Sequence, residues 1–116
     1  MIGDPGGGGP RLTRMRVRRY SRLLERLARV RAAREKLSRI EQHVRDNELS
    51  NAAEWEVRRD ACWAVEAAEK CLGADEMDLG DQVVEAGRAL PFAEWQQARA
   101  AFNRRHPELA ERMDRA

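Results

Sequence analysis

Side chains able to do chemistry are scarce in this 116-residue chain, which has two histidines, His43 and His106, two cysteines, Cys62 and Cys71, and three serines, Ser21, Ser38 and Ser50. Covalent catalysis needs a nucleophile, a base within reach and a group that orients the base. None of the serines stands in a recognisable nucleophile context, and only two histidines are there to serve them. Cys62 and Cys71 are nine residues apart, on opposite sides of a helix that turns about 100° per residue. They neither bridge within that helix nor match zinc-ligand spacing, and read as reduced, packed thiols. Asp75, Glu76, Asp78 and Asp81 invite a calcium loop, but the alternation of oxygen ligands fails at Met77 and Leu79. Helix capping explains these acids better, with Asp78 opening a helix. The expectation is a non-enzyme with no cofactor and no metal.

Charge and aromatic surface are what remain. Ten arginines and one glutamate lie between Arg11 and Arg34, in a chain of net charge +2. Arg11, Arg14, Arg18, Arg22 and Arg29 project within an arc of roughly 80° over about 27 Å of helix. Arginine's planar fork takes phosphate oxygens bidentately, so the stripe suits nucleic acid, and it suits an acidic protein surface equally. Against both stands a plainer reading. The bias to 20 arginines over Lys36 and Lys70 is what GC-rich coding produces, and Asp60 to Glu94 supplies nine acids against two bases as an internal counter-charge. A hairpin turning near Leu49 sets Arg29 beside Glu69, and Arg18 and Arg22 beside Asp75 to Asp81. Arg19, Arg26, Arg31 and Arg34, at the edges of the apolar seam, are then best placed to pair. Trp55 and Trp63 project from the polar side of the second helix, where tryptophan often anchors an interface. The more economical reading has the C-terminal helices cover them, since Phe92, Trp95 and Phe102 need burial too.

The elements that position these residues are all helical. Met1 to Pro10, with four consecutive glycines, reads as a flexible tail, residues 11–106 as one helical domain, and residues 107–116 as a short C-terminal helix or frayed end. Leu23, Val30, Leu37 and Val44 recur every seven residues, the period that wraps one helix on another. Glu25 with Arg29, Glu35 with Arg39 and Glu41 with Arg45 add i,i+4 pairs. Asn51 and Glu54 make a plausible cap for a second helix, which Gly73 is expected to stop at Leu72. An acidic loop to Gly80, a short third helix through Leu90 and a fourth from Pro91 to His106 complete the expectation. The fold class is all-α: a long antiparallel, coiled-coil-like hairpin with two shorter C-terminal helices packed on it. At 1.5 Å per residue the first helix would be about 55 Å long and the second about 33 Å, so the basic end overhangs.

Phe, Leu, Ile and Val number 21 of 116 residues, thin for a self-sufficient core, which makes burial against an oligomer or partner the expectation. No apolar run approaches the eighteen or so residues of a membrane span, and no signal-peptide core is present, so the setting is read as cytoplasmic. The functional expectation is stoichiometric protein–protein binding, as an adaptor, assembly factor or inhibitor. Arg11, Arg14, Arg18, Arg22, Arg29, Trp55 and Trp63 are its contact residues. The partner is a protein with an acidic surface, or a second copy through the Leu23, Val30, Leu37 and Val44 seam. The alternative is nucleic-acid binding by the basic half of the first helix.

Overall fold

The computed structural model describes residues 9–46 and 52–114. Helices α1 (Gly9–Asp46), α2 (Ala52–Arg88), α3 (Phe92–Arg105) and α4 (Pro107–Asp114) account for nearly all of them, and none of the described residues is in a strand. Of the expected tail, Gly9 and Pro10 belong to the first turn of α1. Residues 1–8 lie outside the described residues, as does the expected cap at Asn51.

α1 and α2 form the expected antiparallel hairpin. The second helix does not stop at Gly73, however: α2 runs unbroken through Gly73 and Gly80 to Arg88. The expected acidic loop and separate third helix are therefore one helical stretch, and Asp78 caps nothing; its Oδ2 accepts a hydrogen bond from Gln82 Nε2 at 2.8 Å. The reason lies in packing. Leu79, Val83, Ala86 and Leu90 recur at three- and four-residue intervals and are all buried. Each large side chain among them contributes about 1.5–3 kcal/mol on burial, more than the roughly 1 kcal/mol that a glycine costs a helix.

α3 and α4 act together as the third helical segment of the bundle, running alongside α1 in the same direction. Trp95 lies near Tyr20 over Gly87, His106 Nε2 is 3.7 Å from Glu25 Oε2, and Arg112 Nε is 2.8 Å from Glu35 Oε2. The chain bends between α3 and α4 because Pro107 cannot continue the helical hydrogen bonding. The His106 N–H closes α3 on Phe102 O at 2.9 Å. α4 is docked, with Met113 buried and the Arg112 backbone oxygen accepting from Arg31 Nη1 at 3.4 Å.

Every buried apolar residue among those described belongs to this three-helix region: Tyr20, Leu23, Leu24, Leu27 and Ala28 of α1, Leu79 to Leu90 of the α2 end, Ala98 and Phe102 of α3, and Met113 of α4. Beyond it α1 and α2 continue as a two-helix arm, and the molecule measures 77 × 23 × 18 Å with a radius of gyration of 20.0 Å. A compact domain of this length has about 13 Å.

The register also departs from expectation. Arg31 meets Glu76 at 3.0 Å and Ser38 Oγ donates to Glu69 at 2.5 Å, which centres the hairpin near position 53 instead of 49. Glu69 thus meets Ser38, not Arg29. α1 and α2 are nearly equal in length, 38 and 37 residues, so overhangs arise from stagger. Tyr20 lies against Gly87, one residue from the end of α2, so the residues of α1 before about Arg18 run past it. At the other end the first two turns of α2 run past Asp46.

Candidate protein-binding site

Seven residues further along at each step, Tyr20 and Leu27 are followed by Arg34 and Glu41. Where the first two are buried in the core, the last two bring charge to the hairpin contact. Arg34 Nε lies 2.7 Å from Glu76 Oε2, and that carboxylate also takes Arg31. Glu41 is buried beside Arg45, which also donates to Glu66 Oε1 at 2.8 Å. Burial pushes the Glu41 carboxyl above its usual range, Arg45 opposes this, and Glu66 and Glu69 reinforce it. The arm is thus tied together by ion pairs without a fully buried core of its own: Leu37, Val44, Val65 and Leu72 are half-buried, and Ile40, Val57, Trp55 and Trp63 are exposed.

The two tryptophans are 54% and 59% exposed. The C-terminal helices do not cover them, because α3 and α4 pack at the far end with Phe92, Trp95 and Phe102; the expectation of covered tryptophans is overturned. The i, i+4, i+8 spacing of Trp55, Arg59 and Trp63 puts them on one face of α2. The Arg59 guanidinium sits 5.1 Å from one ring centroid and 4.8 Å from the other. Each such contact contributes about 0.5–1 kcal/mol at an exposed site. Together they bring both indoles and the guanidinium into one ladder. Arg59 Nε is out of water and has no hydrogen-bond partner, its nearest carboxylate being Asp60 at 3.6 Å, beyond hydrogen-bonding range.

Arg11, Arg14, Arg18, Arg22 and Arg29 are all exposed. The first four make no ion pair with the described residues, and the first three lie on or at the edge of the overhang. Arg29 differs: its Nη2 donates to Glu25 Oε1 at 2.9 Å, and it borders a cleft with Arg26, Asp75 and Asp78. That hydrogen bond is the largest influence holding the Glu25 carboxyl below its usual range; burial opposes it, and the charges of His106, Arg29 and Arg105 assist. Of the seam-edge arginines expected to meet the acidic half, Arg31 and Arg34 do so, both at Glu76. The i,i+4 pairs Glu25–Arg29, Glu35–Arg39 and Glu41–Arg45 are all formed.

The heptad seam is used within the chain. Leu23 is buried in the core and Val30 packs against it, so a homodimer through Leu23, Val30, Leu37 and Val44 would have to open the bundle. Cys62 and Cys71 are free, but Cys71 is exposed rather than packed. The Arg59 ladder between the tryptophans escaped the sequence reading, although its i, i+4, i+8 spacing was there to be seen. None of the described helices is long and apolar enough to cross a membrane. The fold and surface define a class, an all-α hairpin protein with an uncovered aromatic arm and a basic overhang. No family model, curated protein or solved structure matches the chain.

Proposed function

We propose that this protein works by stoichiometric binding to another protein, as an adaptor, assembly factor or inhibitor, with the arm as its docking surface. The observation that carries this reading is the Trp55–Arg59–Trp63 ladder, with both indoles more than half exposed on the part of the hairpin that lies beyond the buried core. Tryptophan and arginine are the residue types that most often dominate interface energies, and side chains already in mutual contact lose less entropy when a partner arrives. A further helix laid on the arm would supply the apolar layer that Arg34 and Glu41 deny it. The free thiols fit a reducing, cytoplasmic setting.

Affinity purification of the wild type beside Trp55→Ala/Trp63→Ala tests it. A partner retained by the wild type at fixed stoichiometry and lost from the variant, with helical content unchanged, is the expected result. Identical sets of bound proteins would remove the arm from function.

A second reading has its own support in Arg11, Arg14, Arg18 and Arg22, which are exposed, make no ion pair among the described residues and suit phosphates along a nucleic-acid backbone. Neutralising several phosphates makes affinity fall steeply with salt. Retardation of duplex DNA or RNA at low salt that disappears in Arg14→Glu/Arg18→Glu/Arg22→Glu would favour this reading. No retardation of any nucleic acid at low salt ends it.

A further inference from the structure

At the end of the bundle opposite the arm tip, where α1 crosses the turn from α2 to α3, an open groove of about 540 Å³ is lined by Tyr20, Val83, Val84, Gly87, Leu90, Phe92 and Trp95, with Arg88 and Arg99 beside them. Its floor is built by a close approach. A Cβ at Gly87 would lie 3.2 Å from Tyr20 Cε1 and 3.3 Å from Trp95 Cδ1 and Nε1, so the absence of a side chain lets both rings lie against the α2 backbone. Its rim is apolar and wet. Val84 is 50% and Phe92 69% exposed, and the Phe92 ring stacks on Trp95 with centroids 5.9 Å apart. Arg88 and Arg99 are the charged side chains among its lining residues, which include no acid, and Asp81, Glu85 and Glu94 stand within a turn of a lining residue along the chain.

We infer that this groove docks a segment of a partner protein that presents a bulky apolar side chain flanked by carboxylates. The apolar floor takes the side chain, and the exposed Arg88 guanidinium takes a carboxylate through charge-assisted hydrogen bonds. Size alone would admit a small amphipathic acid, since ligand sites run to about 300–1,000 Å³. A small ligand is ordinarily covered over most of its surface, however, and a rim as open as Val84 and Phe92 leaves one side uncovered. A protein segment brings its own surface to close it. This site rests on the same reading of the chain as a binding protein but uses none of the arm residues, and the two occupy opposite ends of the rod. Docking at both would join two partners, the action of an adaptor and not of a simple inhibitor.

The test uses the full chain with Trp55→Phe and Trp63→Phe, which leaves Trp95 as the sole tryptophan and removes the arm's indoles from the readout. The probe is an amphipathic helical peptide of about 16 residues with leucine and phenylalanine on one face and glutamates flanking them. Its two controls are a lysine-flanked twin and a twin with an alanine face. The acidic peptide should shift Trp95 emission to the blue and saturate at one per chain, and the lysine and alanine twins should bind at least about tenfold more weakly, the scale of charge-assisted contacts. Arg88→Glu and Val84→Glu, both at exposed positions and checked for unchanged helical content, should abolish the shift, whereas Arg88→Lys should retain most of it. Equal binding by the acidic and basic twins, or no shift at about 1 mM acidic peptide, overturns the proposal. So does 4-phenylbutyrate saturating the shift as tightly as the peptide, which would make the groove a small-molecule site. Because the arm tryptophans are absent throughout, failure here leaves the arm reading untouched.

Discussion

Replacing Gly73 and Gly80 with alanine distinguishes the continuous α2 from a helix–loop–helix by the sign of the stability change. Both glycines are helical, and a Cβ added at either meets nothing within 4 Å, so neither substitution crowds a neighbour. Alanine is favoured over glycine in a helix interior by about 1 kcal/mol, largely because the unfolded chain loses freedom. The two sites are seven residues and so about 10 Å apart along the helix, far enough for their effects to add to about 2 kcal/mol. In a domain of this size each kcal/mol raises Tm by roughly 4–8 °C. Thermal melts followed by circular dichroism at 222 nm on both single variants and the double variant supply the measurement. Were Gly73 instead the left-handed residue closing a helix, alanine there would cost about 1–2 kcal/mol. A lower Tm for Gly73→Ala would therefore refute the unbroken helix, and with it the register that places Glu76 opposite Arg31.

Gly87→Ala should behave differently from the other two, because its Cβ presses on Tyr20, which is only 2% exposed and cannot retreat; the helix-propensity gain should be cancelled or reversed, and a melt showing the full gain would refute the close packing. Phe102→Ala should destabilise by about 3–5 kcal/mol as a core truncation, whereas Trp63→Ala should cost no more than about 1 kcal/mol, a contrast that urea titration resolves. Glu41→Gln should stabilise the protein at neutral pH: a carboxyl whose folded pKa is raised contributes stability that is present below the unfolded value of 4.5 and lost as pH rises through the folded one. Stability curves from pH 4 upward should thus converge for wild type and variant at the acid end and separate towards neutrality. Amide hydrogen exchange should be slow in residues 20–28 and 79–90 and markedly faster in 36–46 and 55–72; uniform protection would contradict an arm without a core.

Most of the architecture was legible because the heptad of α1 is a strong periodic signal that survives without tertiary information. The errors came where packing overrode a local rule. Gly73 and Gly80 flank four acids and look like punctuation, yet the burial of Leu79, Val83, Ala86 and Leu90 carries the helix through them. The midpoint of the hairpin was not encoded by any turn motif strong enough to fix it, so the pairing of particular acids and bases slid by several residues even though the exchange of charge between the halves was read correctly at Arg31 and Arg34. Exposure at Trp55 and Trp63 depends on where the C-terminal helices lie along the rod, a long-range choice that composition leaves open. Arg34 and Glu41 did carry that information: they interrupt the series begun by Tyr20 and Leu27, and the third helix of the bundle ends where they begin.

The same two residues link the fold to the proposed activity. Leucines at 34 and 41 would extend the core along the hairpin, and a longer C-terminal helix could then have covered α2 out to the tryptophans. Ion pairs there keep α1 and α2 aligned, because charges such as Arg34 on Glu76 and Arg45 between Glu41 and Glu66 penalise a slipped register. They add little net stability, since partly exposed pairs contribute only about 0–1 kcal/mol each. An arm built this way keeps its direction without needing a cover. It can present Trp55, Arg59 and Trp63 well away from the core and leave their burial to a partner, so the weakness of the arm as a fold is what keeps it free as a surface.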